Sequence, residues 1–152
     1  YALHEEPGSR VIVMCGLPAS GKNHWVVQHH PGLPVVSFDD ARAELGLRHG
    51  ENEGAAAHRA VDKAKSLLRA KAAFVWNATH LSRQMRGKTL ELCLAYGAQV
   101  GLVHLEASRP TLLARNSKRD TTLGNAALLG MLHRWEVPLP TEAHGLQLLV
   151  NE

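Results

Sequence analysis

The fold is decided by the segment Val11-Ile12-Val13-Met14-Cys15-Gly16-Leu17-Pro18-Ala19-Ser20-Gly21-Lys22. Its first five residues are a continuous apolar run rich in β-branched side chains, which is typical of a strand covered on both faces. The rest has the spacing Gly-x4-Gly-Lys. Its glycines allow backbone conformations closed to other residues and let the N–H groups of the loop point inward. A strand, this loop and a helix that begins near Lys22 together predict a phosphate-binding P-loop.

Each part of the loop has a predicted role. Its N–H groups and the positive end of the following helix hold phosphates, and Lys22 adds a charge that reaches the β and γ phosphates of a nucleotide. Asn23 stands where P-loops usually carry Ser or Thr, whose hydroxyl binds Mg²⁺. Either its amide oxygen faces the metal, directly or through a water, or the metal relies on phosphates and waters alone. The predicted nucleotide-binding residues of the loop are Gly16, Leu17, Pro18, Ala19, Ser20, Gly21, Lys22 and Asn23.

Strands and helices alternate along the rest of the chain. Further strands are predicted at residues 35–37, 72–76, 99–105 and 145–150. Helices are predicted at residues 22–30, from Asp39 or Asp40 to Leu45, at 55–71, after the capping residue Ser82, at 110–116 and around 128–135. Strands separated by helices indicate a parallel sheet with helices on both faces. We therefore expect one α/β domain of about five strands over residues 1–152.

Composition narrows the class of protein. The chain is 45% hydrophobic and 20% charged, as in globular domains, and no apolar run approaches the roughly 20 residues that span a bilayer. The net charge of +3 is a mild basic bias that is compatible with a polyanionic partner. Cys15 and Cys93 lie in apolar stretches and indicate buried thiols of a reducing compartment. We therefore expect a cytoplasmic protein that does not contact a membrane.

A second block, Asp39-Asp40-Ala41-Arg42, follows the second strand at the edge of the sheet where such folds bind ligands. An Asp at this place lies beside the γ-phosphate and accepts a proton from an acceptor hydroxyl in line with it. Arg42 shares a helical face with Asp39, and its planar fork suits a phosphate on the acceptor. The plainer alternative is an Asp that caps a helix and a solvated Arg. With the P-loop upstream, the pair predicts a phosphotransferase.

The third block is Arg115-Asn116-Ser117-Lys118-Arg119, at the end of a helix and in the loop that follows it. Phosphoryl transfer needs neutralisation of charge on the β and γ oxygens, and mobile lid arginines commonly provide it. The alternative is a solvated basic face that complements the carboxyl end of the helix.

Together, the three blocks resemble the 5′-hydroxyl polynucleotide kinases of the phage and bacterial end-healing type, over roughly residues 10–137. The segment Asn77-Ala78-Thr79-His80-Leu81 is similar to the Thr-Asn-Leu segment of that family, with His80 in the place of Asn. Arg86 falls where the family also has a basic residue. The resemblance implies a P-loop kinase-type fold with a helical lid. It also implies a donor, ATP or another NTP, with Mg²⁺, and an acceptor, RNA or DNA with a 5′-OH end.

The same resemblance implies residue roles. Lys22, Asp39 and Arg119 are the expected catalytic residues: Asp39 as the general base, and Arg119 as the lid arginine that spans the ATP phosphates. Arg115 is expected near the adenine or the phosphates. Arg42 is expected to bind the phosphate next to the attacking nucleoside.

Two positions complete the expected substrate site, since Thr79 and Arg86 are expected to contact the nucleic acid. The resemblance also implies fused or partner phosphatase and ligase domains for end healing. The start at Tyr1 is compatible with a domain cut from a larger end-repair protein.

Two alternatives stay open. A small-molecule kinase acting on a metabolite, nucleoside or antibiotic shares the P-loop and an early Asp, but needs no Arg tuned to a substrate phosphodiester. A non-enzymatic ATP-binding module would bind ATP without transfer, and the combination of Asp39, Arg42 and a lid argues against it.

Overall fold

A parallel β-sheet organises the chain. The computed structural model describes residues 8–17, 19–48, 51–80, 82–118 and 124–150. Within them, the strands are β1 (Arg10–Cys15), β2 (Val35–Val36), β3 (Phe74–Asn77), β4 (Gln99–Glu106) and β5 (Gly145–Val150). All neighbours pair in parallel, in the spatial order β2-β3-β1-β4-β5. The predicted parallel sheet of about five strands is confirmed, and β1, which feeds the loop, lies at its centre.

Six α-helices and one short 3₁₀ helix connect these strands in the described part of the chain. They are α1 (Lys22–His29), α2 (Phe38–Leu45), α3 (Glu53–Arg69), α4 (Arg83–Ala95), α5 (Arg109–Lys118), α6 (Asn125–Arg134) and the 3₁₀ helix Pro140–Glu142. None of the helices in these residues is long and apolar enough to cross a membrane.

The starts of α2 and α3 differ from the predicted ones because capping side chains set them. The helix expected from Asp39 or Asp40 begins at Phe38, since the Ser37 hydroxyl accepts a hydrogen bond from the Asp40 N–H at 3.0 Å. The helix expected over 55–71 spans Glu53–Arg69, because the Asn52 side chain accepts from the Ala55 N–H. Ser82 caps α4 as predicted, through a 3.2 Å bond from the Met85 N–H.

The core lies on both faces of the sheet. On one face, β1 directs Val11, Val13 and Cys15 toward a cluster that includes residues of α3 and α4. On the other face, Met14 packs with Val26 of α1. Apolar residues on both sides of β1 explain its unbroken apolar sequence.

Both cysteines are buried and free, as predicted. Burial raises the pKa of the Cys15 thiol to about 12 and that of Cys93 to about 11.

A third cluster joins the P-loop to the last two helices. Leu17 of the loop packs with Leu112 of α5 and Leu128 of α6, and all three side chains are at most 5% exposed. The position of the loop is therefore coupled to the helical segment that follows β4.

Candidate functional site

The P-loop is shaped by left-handed backbone at its end. Gly21 has φ of +96° and immediately precedes α1, where no side chain of the described residues makes a capping hydrogen bond. The first N–H groups of a helix have no partner within the helix, so this uncapped end is suited to an anion. Pro18, which we predicted to take part in the loop, lies outside the described residues.

Gly16 sits at the tightest point of the loop. A Cβ atom there would lie 2.7 Å from the Ser20 Oγ and 2.9 Å from the Leu105 carbonyl oxygen. Because the Leu105 oxygen belongs to the backbone of β4, it cannot move aside cheaply. The first glycine of the motif is thus required by the close approach of the loop to the sheet.

The lysine of the motif points back across the loop. The Lys22 Nζ donates to the Gly16 carbonyl at 2.7 Å and to the Leu17 carbonyl at 3.2 Å. The Arg115 guanidinium of α5 donates to the Ala19 carbonyl at 3.4 Å. Two of the predicted cations therefore lie at the loop. The third, Arg119, lies outside the described residues.

Asn23 has a partner that our sequence interpretation gave no role. The Asn77 Nδ2 donates to the Asn23 Oδ1 at 2.5 Å, which links the first turn of α1 to the end of β3. Asn77 is buried and lies in register with Met14 of β1. The sequence did contain a signal for Asn77, because it is a polar residue directly after the apolar run at residues 74–76. In such sheets, functional side chains follow the strands.

The Asn pair also decides how well the site fits a metal. Both side chains offer amide oxygens, which Mg²⁺ accepts as ligands, but neither offers a negative charge. The buried Asn77 Oδ1 has no hydrogen-bond partner among the described residues. The same residues contain no group of three or more His, Cys, Asp or Glu side chains arranged for a metal. The donor set would fit a cation carried in by nucleotide phosphates, and Asn23 and Asn77 are the residues whose oxygens would contact it.

Asp39 and Arg42 share a face of α2, as their spacing predicted, and the two side chains form an ion pair that was not predicted. Arg42 is 8% exposed, whereas the Asp39 side chain is 71% exposed. The Arg42 Nη1 also donates to both carboxylate oxygens of Glu53, at 3.3 and 3.0 Å. The alternative of a helix-capping Asp with a solvated Arg is wrong on both points, because Ser37 caps the helix and Arg42 is buried. Glu53 was missed, since its contact crosses the loop between α2 and α3.

The comparison with known proteins identifies the family. A family model described as an AAA domain matches residues 11–138, which include the P-loop and the Asp39–Arg42 pair. The chain belongs to the AAA domain family. No curated protein sequence matches it.

Solved structures resemble this AAA domain in fold. A protein assigned as a kinase from Chloroflexus aurantiacus has a TM-score of 0.74 at 16% identity, with 94% of this chain and 88% of that chain covered. A chain of the Pnkp1/Rnl/Hen1 RNA repair complex has a TM-score of 0.72 at 17% identity, covering 86% and 45%. The APS kinase CysC of Mycobacterium tuberculosis, in complex with AMPPNP and APS, has a TM-score of 0.61 at 13% identity, covering 93% and 89%. The expected P-loop kinase-type fold is confirmed.

The segment after β3 supports the P-loop of this AAA domain. The Thr79 carbonyl accepts from the Gly16 N–H at 3.2 Å. The His80 Nδ1–H donates to the Met14 carbonyl at 2.8 Å, and its Nε2 accepts from the Thr89 hydroxyl at 3.0 Å. Burial lowers the pKa of His80 from its ordinary 6.5 to about 4, so the ring is neutral. His80 also has φ of +48°, a conformation in which Asn and His are both enriched.

The position of Arg86 contradicts its expected role. We expected it to contact nucleic acid, but its side chain is 0% exposed. Its Nε donates to the Glu142 carboxylate at 3.0 Å, and its Nη1 donates to the carbonyls of His80 at 3.0 Å and Glu136 at 2.8 Å. Arg86 therefore fastens the segment before β5 to α4 and to the loop after β3, and it presents no charge to a substrate.

A cavity of about 240 Å³ adjoins the loop at Leu17 and Ser20. His104 lies in its wall, stacks on Trp135 with ring centroids 5.1 Å apart, and contacts the Glu106 carboxylate through Nε2 at 3.0 Å. Our sequence interpretation missed this cavity, because its walls come from β4, α5 and α6 as well as from the loop.

Proposed function

We propose that this AAA domain transfers the γ-phosphate of ATP, or of another NTP, to the 5′-OH end of RNA or DNA. The supporting observation is the exposed carboxylate of Asp39, held by Arg42, just after β2 in the same parallel sheet whose β1 leads into the P-loop. Both groups follow the carboxyl ends of strands, so donor phosphate and acceptor hydroxyl would meet at one edge of the sheet.

The proposed chemistry uses few protein groups. The loop N–H groups and Lys22 bind the β and γ phosphates. The acceptor oxygen forms a bond to the γ-phosphorus while the bond from that phosphorus to the β–γ bridging oxygen breaks, and the proton of the hydroxyl passes to Asp39. When bound with the nucleotide, Mg²⁺ would neutralise charge on the phosphate oxygens. Arg115 and the lid residue Arg119 would add positive charge at the leaving phosphates.

The acceptor is proposed from the sequence blocks. The structural resemblances lie below 20% identity and reach kinases of several kinds, so they support the fold. Asp39–Arg42 and Arg115–Arg119 are the features that favour a polynucleotide end. Thr79, which lies beside the loop through its carbonyl, remains a proposed contact with the substrate.

One observation favours a second candidate, a small-molecule kinase. Arg42 is buried and already engaged by two carboxylates, Asp39 and Glu53. In that arrangement, Arg42 can orient the Asp39 carboxylate without any phosphate on the acceptor. An acceptor that lacks a phosphodiester would then suffice.

A transfer assay with labelled ATP tests the proposal. We expect Asp39→Asn to lower transfer to a 5′-OH oligonucleotide by about 10²- to 10⁴-fold, because a general base contributes that much. Nucleotide affinity, measured by calorimetry, should stay unchanged. The matched control is Asp40→Asn, which removes the neighbouring exposed carboxylate of the same helix and should leave transfer intact.

The choice of acceptors separates the two candidates. The wild-type chain is offered 5′-OH RNA and DNA oligonucleotides beside nucleosides, sugars and aminoglycosides. Transfer to oligonucleotides alone supports the proposal, whereas transfer to a small molecule alone establishes the second candidate. An Asp39→Asn variant with full activity would remove the base assignment from both.

A further inference from the structure

The contact between Asn23 and Asn77 lies at the base of the P-loop. Asn23 is the second residue of α1, directly after the lysine of the motif, and Asn77 ends β3, the strand beside β1. Their side chains are joined by the 2.5 Å hydrogen bond from the Asn77 Nδ2 to the Asn23 Oδ1. Asn77 is 8% exposed. Asn77 therefore lies where water reaches poorly, whereas the Asn23 side chain at the first turn of α1 is exposed.

P-loop NTPases in general hold their metal with a Ser or Thr hydroxyl of the loop and with an Asp carboxylate. Here the two residues in contact are Asn23, at the place of the hydroxyl, and Asn77, at the end of the neighbouring strand. This chain has an amide at both. The pair carries no net charge, whichever of its two amide oxygens accepts the hydrogen bond. The charged groups that contact the loop among the described residues are both cations: Lys22, which donates to the Gly16 carbonyl at 2.7 Å, and Arg115, which donates to the Ala19 carbonyl at 3.4 Å. His80, behind the loop, is neutral because burial lowers its pKa to about 4.

We propose that the neutral Asn23–Asn77 pair lets this loop bind nucleotide phosphates without a divalent cation, so that a metal enters only as a passenger on the nucleotide. The inference rests on the nucleotide-binding part of the proposed function. A carboxylate at residue 77 would repel bare phosphates at short range in a poorly hydrated place, and a cation between them would be needed to bind both. An amide imposes no such requirement.

Thermodynamic linkage makes the inference measurable. If the protein contributes no anionic ligand, binding of the metal and of the nucleotide are coupled only through the nucleotide itself. The affinity of the loop for ADP should then be nearly the same with Mg²⁺ and with EDTA. The protein without nucleotide should bind no Mn²⁺ at this site.

The test is calorimetric titration of the wild-type chain with ADP, in Mg²⁺ and in EDTA. We expect dissociation constants within about threefold of each other, because coupled binding would separate them by about 5- to 150-fold. The Asn77→Asp variant should bind ADP at least about tenfold more weakly in EDTA than in Mg²⁺. Electron paramagnetic resonance of Mn²⁺ should show tighter binding of the ion to the ADP complex of this variant than to that of the wild type.

Two further variants serve as a second test and as a control. Asn23→Asp introduces the same charge at an exposed side chain, so it tests the inference even where Asn77→Asp fails to fold. Asn52→Asp adds a carboxylate at the cap of α3, where Asp caps as well as Asn does, and should leave both dissociation constants unchanged.

The outcomes are distinct from those that test the proposed function. Wild-type binding of ADP that is more than about fivefold weaker in EDTA would overturn this inference and leave the kinase proposal standing. The same insensitivity to Mg²⁺ in the Asp variants would also overturn it. An absence of ADP binding in both conditions would overturn the proposed function and this inference together.

Discussion

Removal of the carboxylate of Glu142 is expected to destabilise the fold, because Glu142 pairs with a buried charge. The Arg86 side chain is 0% exposed and that of Glu142 is 13% exposed, with 3.0 Å between the Arg86 Nε and the carboxylate. The Glu142→Gln substitution keeps the shape and one oxygen acceptor but leaves the buried guanidinium with neutral partners only, the carbonyls of His80 and Glu136 among them. The change therefore removes the negative charge, and it also replaces one of two acceptors by a donor, because the second carboxylate oxygen of Glu142 accepts from the Leu139 N–H.

The structure sets the expected magnitude. Breaking a buried ion pair by removing one partner typically costs 3–5 kcal/mol, and the remaining carbonyl partners place this case at the low end, about 3 kcal/mol. For a chain of this size, each kcal/mol lowers the melting temperature by about 2–4 °C, so the expected fall is about 6–12 °C. Glu136 provides the matched control. Its carboxylate pairs with Arg83 at 3.1 Å, but these side chains are 40% and 54% exposed, and Glu136→Gln should cost less than about 1 kcal/mol.

Urea unfolding followed by circular dichroism at pH 7 measures both variants against the wild type. Equal losses in Glu142→Gln and Glu136→Gln would refute the argument from burial. An Arg86→Met variant that keeps wild-type stability but binds the acceptor poorly would refute it more directly, and would return Arg86 to the substrate site.

Two other predictions concern the P-loop and the residue behind it. Gly16→Ala should weaken nucleotide binding by about 5- to 150-fold, because overpacking of this kind costs about 1–3 kcal/mol and the strain falls on the loop. The new Cβ would lie 2.7 Å from the Ser20 Oγ and 2.9 Å from the Leu105 carbonyl. A calorimetric affinity equal to that of the wild type would contradict the close packing. His80 has a folded-state pKa of about 4, below its ordinary 6.5, so its contribution to stability is present above pH 6.5 and is lost as the pH falls toward 4. Between pH 7 and pH 5, the wild type should lose about 2 kcal/mol more stability than His80→Asn. Asn is chosen for the variant because it suits the left-handed backbone. If the wild type and the variant lose the same stability between these two pH values, the buried ring is not neutral.

The sheet and the P-loop could be predicted because their signals are local. The apolar run of β1 indicates a strand that is buried on both faces, and the spacing from Gly16 to Lys22 indicates the backbone conformation of a P-loop. The starts of α2 and α3 were less certain, because several polar residues in a row can each cap a helix. Only the structure shows that the Ser37 and Asn52 side chains accept the capping bonds.

The contacts of Arg86 and Arg42 could not be predicted because their partners are distant in sequence. Arg86 was expected to contact nucleic acid because the family that the sequence resembles also has a basic residue there. Its counter-ion, Glu142, lies 56 residues further along the chain, and no local pattern connects them. The contact of Arg42 with Glu53 has the same origin on a shorter scale, since it crosses the loop between two helices.

Asn23 shows what the fold adds to a departure seen in sequence. In the sequence alone, Asn23 replaces the usual Ser or Thr and so lacks the hydroxyl, and the sequence left open whether its side chain contacts a metal. Parallel pairing of β3 with β1 brings Asn77 to it from 54 residues away, and both members of the contacting pair are amides. A single replacement would leave one ligand short, whereas a matched pair of hydrogen-bonded amides keeps the contact between loop and sheet while removing its charge. The geometry of the P-loop is thus preserved by a bond that needs no metal, and for that reason phosphate binding and metal binding in this AAA domain should be separable.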